Sequence, residues 1–474
     1  MIAPVCTPPK KGLVMSTKEP GAASPPIETT DDLVNWIAAG EKPRHRWRIG
    51  TEHEKFVFHR SDLSPVSYGG NEGIGALMQA LIADYGWQPI YEDQTVIALK
   101  RSNGQAQETI SLEPGGQFEL SGAPLTSLHE TCTEAGQHLS ETLEIGERLD
   151  IGFLGIGFAP TWRRDEMPTM PKKRYGVMTR YMPQVGKHGL DMMYRTCTIQ
   201  VNLDYASEAD MVKKLRVSLA LQPIATALFA SSPFTENAPN GFKSMRSEVW
   251  RDTDPHRTGM LPFAFEDGMS YQRYIDYALD VPMYFVYRDG QYIDVAGASF
   301  RKFMAGELEQ LPGEKPTKDD WSDHLTTLFP EVRLKRFLEM RGADGGPWRR
   351  ICALPAFWVG LLYDQTALDA AWDLIKDWTA EERIALRNGV PKLALEAPFR
   401  NTTVLEVARQ AVRISEAGLK NRRKLNSRGD DETNFLDFVQ EVAASARTPA
   451  DELLNRYHNS WNGEINRIFK EYTF

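Results

Sequence analysis

Polar and apolar residues alternate with a period of two in three stretches of this chain, and each stretch is predicted to be a strand. In Thr196–Asp204 (TCTIQVNLD), Thr198, Gln200, Asn202 and Asp204 alternate with Cys197, Ile199, Val201 and Leu203. Side chains two apart share a sheet face, so this strand has one apolar face and one face of amides and carboxylate. Trp47–Phe58 (WRIGTEHEKFVF) places Glu52 and Glu54 two residues apart. Thr95–Lys100 and Thr109–Leu112 flank Asn103-Gly104, a pair that tolerates the positive φ of a tight hairpin turn. The second of these strands meets a Pro114-Gly115-Gly116 break and resumes as Gln117–Leu120.

Helical spacing separates the strands. Leu125, Leu128, Cys132, Ala135, Leu139 and Leu143 form one apolar stripe over 125–149, which predicts a buried Cys132. Ser207 with Asp210 three residues on is a capping-box pattern that opens a helix over about 208–231. Beyond Leu361 the pattern is mostly helical. A hairpin, with strands and helices mixed irregularly, predicts an α+β fold built on an antiparallel sheet.

Composition changes this picture little. The chain has 474 residues, 42% hydrophobic and 25% charged, with 55 basic against 64 acidic residues and a net charge of −9. That balance argues against nucleic-acid or anionic-membrane partners. No apolar run reaches the roughly 18 residues of a transmembrane helix. Residues 1–30 are rich in Pro, Ser, Thr and Gly and have no apolar segment of signal-peptide type, so they are expected to be a disordered leader. The remainder, 31–474, is expected to be one catalytic domain. Four separated cysteines without a CxxC predict free thiols in a reducing compartment, hence a cytoplasmic protein.

The candidate chemistry is acidic. Glu52 and Glu54 on one strand face suit either a divalent cation or a solvated surface. Glu113 and Glu119 flank the glycine break, where backbone can approach a ligand or simply bulge. Gln200 and Asn202 offer amide donors and acceptors to a substrate or to the fold. Glu339 and Arg341 share a face if their segment is a strand, pairing a carboxylate for metal with a guanidinium for phosphate. Arg246 with Trp250, and separately Arg195, are candidates to clamp an amino-acid carboxylate. No G-x-x-x-x-G-K-[ST], G-x-S-x-G or HExxH pattern is present. Together these residues point to phosphoryl transfer rather than acyl-enzyme chemistry.

The segments GTEHEKF, SLEPGGQFELSGAP, GIGFAP, LDMMYRTCTIQVNLD, MRSEVW, HLTTLFPEVRLKRFLEMRGADGGPWRR and CALPAFWVGLLYD resemble the plant-type glutamate–cysteine ligases, which also occur in proteobacteria. The resemblance runs from about residue 31 to the end. It implies a carboxylate–amine ligase fold related to glutamine synthetase, with a curved antiparallel sheet walling the active site. It also implies ATP as substrate, more than one Mg2+, and joining of the glutamate γ-carboxylate to the cysteine amine through an acyl phosphate. By motif, Glu52, Glu54, Glu113, Glu119 and Glu339 become metal ligands, and Arg341 and Glu54 catalytic residues. Gln200, Asn202, Arg246, Trp250 and Arg195 become substrate-binding, in a monomer or homodimer. The positions of Cys132 and Cys352 match a disulfide of the plant enzymes, set against the alternative of two core thiols. Val295 and Gln310 stand where a second plant disulfide would be, so that clasp is absent. Other readings remain open at this point: a ligase for a different amine, a metal-dependent hydrolase, or a binding protein without turnover.

Overall fold

The computed structural model describes residues 24–103 and 106–474. Its centre is a nine-stranded sheet. We label the strands β1 (Ile49–His59), β2 (Gln88–Glu92), β3 (Thr95–Asn103), β4 (Ala106–Leu112), β5 (Phe118–Ser121), β6 (Ile151–Leu154), β7 (Thr198–Leu203), β8 (Val332–Leu334) and β9 (Leu338–Asp344). The order is β8-β9-β7-β1-β5-β4-β3-β2, with β6 paired to the far end of β1. Every neighbouring pair is antiparallel. This is the α+β architecture expected from the alternating pattern. The predicted hairpin forms with Asn103 opposite Ala106, and residues 104–105 of its turn lie outside the described residues.

The three strands predicted from alternation are β1, β4–β5 and β7, and their parity holds. Ile199, Val201 and Leu203 of β7, Met340 of β9 and Ile49 of β1 belong to one hydrophobic core. Helices Glu208–Phe229, Trp348–Leu362 and Val404–Arg422 supply the rest of that core. A second core gathers Ile110 and Leu112 of β4, Phe118 and Leu120 of β5, and the apolar residues of β6. Burying each such side chain contributes on the order of 1.5–3 kcal/mol, so the apolar parity fixes which face turns away from the cores. That opposite face carries the acids and amides.

Local signals set the helix starts. The Ser127 hydroxyl accepts the Glu130 N–H, and Glu130 accepts the Ser127 N–H in return, opening the helix Leu128–Arg148. Ser207 caps the 208–229 helix by accepting from Asp210 N, but the Asp210 carboxylate reaches Ala206 N instead of closing a box on Ser207. Residues 1–23 of the expected leader lie outside the described residues. The boundary at residue 30 needs correction, because Ile27 is fully buried and its N–H donates to Pro316 O at 2.8 Å. An isoleucine with a seat in the core belongs to the fold. Among the described residues no single helix is long and apolar enough to cross a membrane.

Candidate active site

The polar sheet face lines an open cleft. Register brings its acids into rows: Glu54 faces Glu119, which faces Ser111, while Glu52 lies between Ser121 and Gln200. Asn202 lies opposite both Gly50 and Glu339. A bulge between Met340 and Ala343 bends β9 beside Arg341.

The Pro114-Gly115-Gly116 break delivers Glu113 to the same place. Gly116 has φ +83°, and a Cβ on Gly115 would lie 2.3 Å from the Tyr194 carbonyl oxygen, so both positions require glycine. Gln117 staples the turn: its Oε1 accepts from Gly115 N at 2.9 Å and its Nε2 donates to Thr196 O at 2.8 Å. Glu113 thereby lines the cleft with Glu119, close enough for its charge to act on that carboxyl. Burial, then the charges of Glu113 and Glu119, push the Glu54 carboxyl well above the usual range. Burial and Glu113 push Glu119 up to about 7. Burial, then Glu339 and Glu119, push Glu52 up to about 7, although Asn202 Nδ2 donates to Glu52 Oε1 at 2.7 Å.

Glu54, Glu113 and Glu119 line one cleft as neighbouring oxygen donors, the ligand chemistry that magnesium takes. They are neighbours, not an assembled cage. Among the described residues no three acid, histidine or cysteine side chains already stand around one point as an ion would need.

Glu339 differs from the other acids. It is fully buried, and it forms ion pairs with Arg333 (2.7 Å), Lys335 (3.3 Å) and Arg341. Burial raises its pKa, but these three cations outweigh burial and hold it well below the usual carboxylate range. It does not line the cleft, and its charge is already balanced, which departs from the expected metal ligand. Asn202 also lies off the main cleft lining, with its Nδ2 donating to Glu52. Gln200 does line it, and its Oε1 accepts from Arg341 Nη1 at 2.6 Å.

Arg246 and Trp250 line the cleft together, as expected. Arg195 does not. Its guanidinium bonds Asp191 at 2.8 and 3.1 Å, Glu236 at 2.8 Å and the Trp162 carbonyl, so the substrate-binding expectation for Arg195 is corrected. Its donors are spent within the fold. Sequence reasoning missed Arg333 and Lys335; in EVRLKRFLEMRG Arg333 stands opposite Glu339 across a hairpin, and Lys335, two residues on, reaches the same carboxylate. It also missed Lys172, which is buried near Glu113 and Glu119 and whose amine is pushed down to about 8 by burial and Arg174.

The family model described as glutamate-cysteine ligase family 2 matches residues 48–471. The chain belongs to that family. The chloroplastic glutamate–cysteine ligase of Brassica juncea is 54% identical over 459 residues, covering 95% of this chain and 87% of the relative. The chloroplastic enzyme of Arabidopsis thaliana is also 54% identical, covering 95% and 85%. Among solved structures, a glutamate–cysteine ligase from Francisella tularensis in complex with AMP aligns with TM-score 0.52 at 13% identity, covering 91% of this chain and 89% of that one. That likeness shows the fold of this ligase family. The expectation of a cytoplasmic protein is corrected by these relatives, each of which is named as a chloroplastic enzyme. Buried cysteines without a CxxC carry no information that separates reducing compartments from one another.

Proposed function

We propose that the acidic face of the sheet binds ATP with magnesium and activates the γ-carboxylate of glutamate for attack by the amine of cysteine. The reaction of the family is ATP-dependent formation of γ-glutamylcysteine, the first step of glutathione synthesis. Its chemistry has two stages. A glutamate γ-carboxylate oxygen attacks the terminal phosphorus of ATP and ADP leaves; the cysteine nitrogen then attacks the acyl carbon and phosphate leaves.

The chain's own groups divide this work. Arg341 lies in the cleft, oriented by Gln200 and Glu339, and presents a guanidinium to the phosphoryl group in transfer. Arg333 and Lys335 add positive charge on the same side and line the same cleft. Arg246 and Trp250, packed beside Arg341, hold glutamate. Glu54, Glu113 and Glu119 would hold one Mg2+; Glu52 and Glu339 would hold a second, in competition with the cations that Glu339 now pairs. When bound, the metal neutralises phosphate charge that the acidic face would otherwise repel. The chain from Ile27 onward acts as one catalytic domain in this reading.

The observation that carries the proposal is the set of carboxylates, driven toward protonation by burial and then by one another, in the cleft that also presents Arg341 and Arg246. The test is ADP release from the purified chain with glutamate and a panel of amines, with and without chelator. Cysteine is expected to be strongly preferred, and turnover should vanish without Mg2+. ATP-independent turnover, or equal rates with all amines, would remove the proposal.

A further inference from the structure

Asp344 ends β9 and takes no part in the chemistry described above, yet it is a fully buried acid. In an unbroken strand Arg341 and Ala343 would share a face. The bulge after Met340 changes that parity: Arg341 lines the cleft, Ala343 packs in the core, and Asp344 turns to the 231–247 segment. Its seat has no slack. A Cβ on Gly157, the second glycine of GIGFAP, would collide with the Asp344 carboxylate carbon, so the bare glycine is what admits the side chain.

Three donors converge on that carboxylate. The Ser231 N–H donates to Oδ2 at 2.8 Å, the Ser232 hydroxyl to Oδ2 at 2.6 Å, and the Ser244 hydroxyl to Oδ1 at 2.7 Å. A hydroxyl has one proton, so each serine that gives its own to Asp344 can only accept in its other contact. Both accept from the same helix. Ser244 Oγ takes the Ser247 N–H at 3.1 Å, and Ser232 Oγ takes the Arg246 N–H at 3.2 Å. This helix, Met245–Val249, has five residues, too few to hold its own shape, so outside contacts set its place. It carries Arg246 into the cleft, and Trp250 follows directly. Arg246 Nη2 then donates to the Arg341 carbonyl at 2.8 Å, so one strand holds Arg246 at both its backbone and its guanidinium. Burial works against the Arg246 charge, and Asp344 is the strongest of the charges that support it.

We infer that Asp344 is a positioning residue for the ligase reaction: through the hydroxyls of Ser232 and Ser244 it fixes the helix that presents Arg246 to glutamate. The inference rests on the ligase reading of the cleft. A carboxylate suits this task and an amide does not. With three donors aimed at it, both oxygens must accept, and the Nδ2 of an asparagine would face a group that already donates.

The test compares Asp344→Asn, Ser244→Ala and Arg246→Lys, and the double variant of the first and last, in the full chain with ATP, glutamate, cysteine and Mg2+. Asp344→Asn is expected to raise the KM for glutamate about tenfold, with kcat within about threefold and the KM for ATP within about twofold. Ser244→Ala, which removes one of the two relays, should raise the glutamate KM about threefold with the same selectivity. In the double variant Asp344→Asn should add less than about twofold to the effect of Arg246→Lys, because it acts through that residue. Hydrogen exchange of the 245–250 amides should be faster in Asp344→Asn. Equal changes in the KM for glutamate and ATP, a lower melting temperature with unchanged KM, or full additivity with Arg246→Lys would overturn the inference, since Asp344 would then only brace the fold. An unchanged glutamate KM in Arg246→Lys would overturn it too. Should Asp344→Asn not fold, Ser244→Ala, alone and combined with Arg246→Lys, decides. If the chain forms no γ-glutamylcysteine, the ligase reading falls, and exchange at 245–250 decides whether Asp344 holds the helix: faster exchange in Asp344→Asn sustains that role and unchanged exchange removes it.

Discussion

Glu54 of β1 stands directly opposite Glu119 of β5 in the sheet register, and Glu113 lines the cleft beside them. Burial and the Glu113 charge push the Glu119 carboxyl up to about 7. A divalent cation needs Glu119 ionised, so it displaces that proton. We expect Mg2+ binding to release about one proton near pH 7, and its affinity to fall as pH drops below 7. Calorimetry in two buffers of different ionisation enthalpy measures the release. Glu119→Gln should weaken Mg2+ binding about tenfold or more and reduce the proton release. Binding heats independent of buffer would contradict a protonated Glu119 in the metal-free chain.

Glu52 presents a trade between stability and turnover. Its pKa is raised from 4.5 to about 7 in the folded chain, so the folded state holds more protons than the unfolded one between those values. Its contribution to stability is therefore complete below about pH 4.5 and is lost as pH rises through 7. At pH 8 the metal-free protein keeps a buried, poorly balanced charge. Glu52→Gln keeps the Asn202 contact sterically and removes that charge. The variant should melt no lower than the parent at pH 8 without metal, yet lose about a hundredfold or more in turnover. A variant that stays active would take Glu52 out of the metal-binding set.

These residues also show what the sequence made legible. Period-two alternation is a local property, so the polar parity of β1 and β7 could be read directly, and with it Glu52, Glu54, Gln200 and Asn202. The glycine break could be read because only glycine accepts φ +83° at Gly116 without strain. Ion pairing could not. Arg195 and Arg246 look alike in sequence, yet Asp191, one helical turn before Arg195, captures the first, while Arg246 spends a single guanidinium bond on a carbonyl. Glu339 reads as an open acid until β8 folds beside it and supplies Arg333 and Lys335. Asp344 carries no local signal at all, because its partners Ser231, Ser232 and Ser244 are 113, 112 and 100 residues away.

Cys132 and Cys352 are both buried free thiols on the 128–148 and 348–362 helices, close enough for Cys352 to shift the Cys132 thiol. Burial, then Cys352, pushes the Cys132 thiol well above its ordinary pKa, so little thiolate exists at neutral pH. Both should resist alkylation in the native state at pH 7.5. After mild oxidation, non-reducing peptide mapping should recover one fragment pair joining Cys132 to Cys352. Cys197, equally buried, should join neither. Unmodified thiols at 132 and 352 after full oxidation of exposed test thiols would reject the bond that the family resemblance suggests.

Lys55 gives a pH signature of the fold itself. It projects from β1 away from the cleft, has no exposed side chain, and meets His53 Nδ1 at 3.1 Å and the face of Phe118 at 6.0 Å. His53 and His138 pack edge to face beside it, and burial holds both well below the ordinary histidine pKa, so they are neutral. Without a carboxylate bonded to its ammonium, burial drives Lys55 from 10.5 down to about 7. The unfolded chain then binds more protons than the folded one between about pH 7 and 10.5. Stability from this group rises with pH across that window, up to a ceiling of about 5 kcal/mol, and below pH 7 the full cost of a buried charge remains. Lys55→Met should therefore be more stable than the parent at pH 7 and should flatten the rise between pH 7 and 10. Denaturant unfolding of both proteins at several pH values measures this. Parallel pH profiles would show that Lys55 finds a charge partner in solution, and that the hydrophobic side of β1 is less dry than its packing indicates.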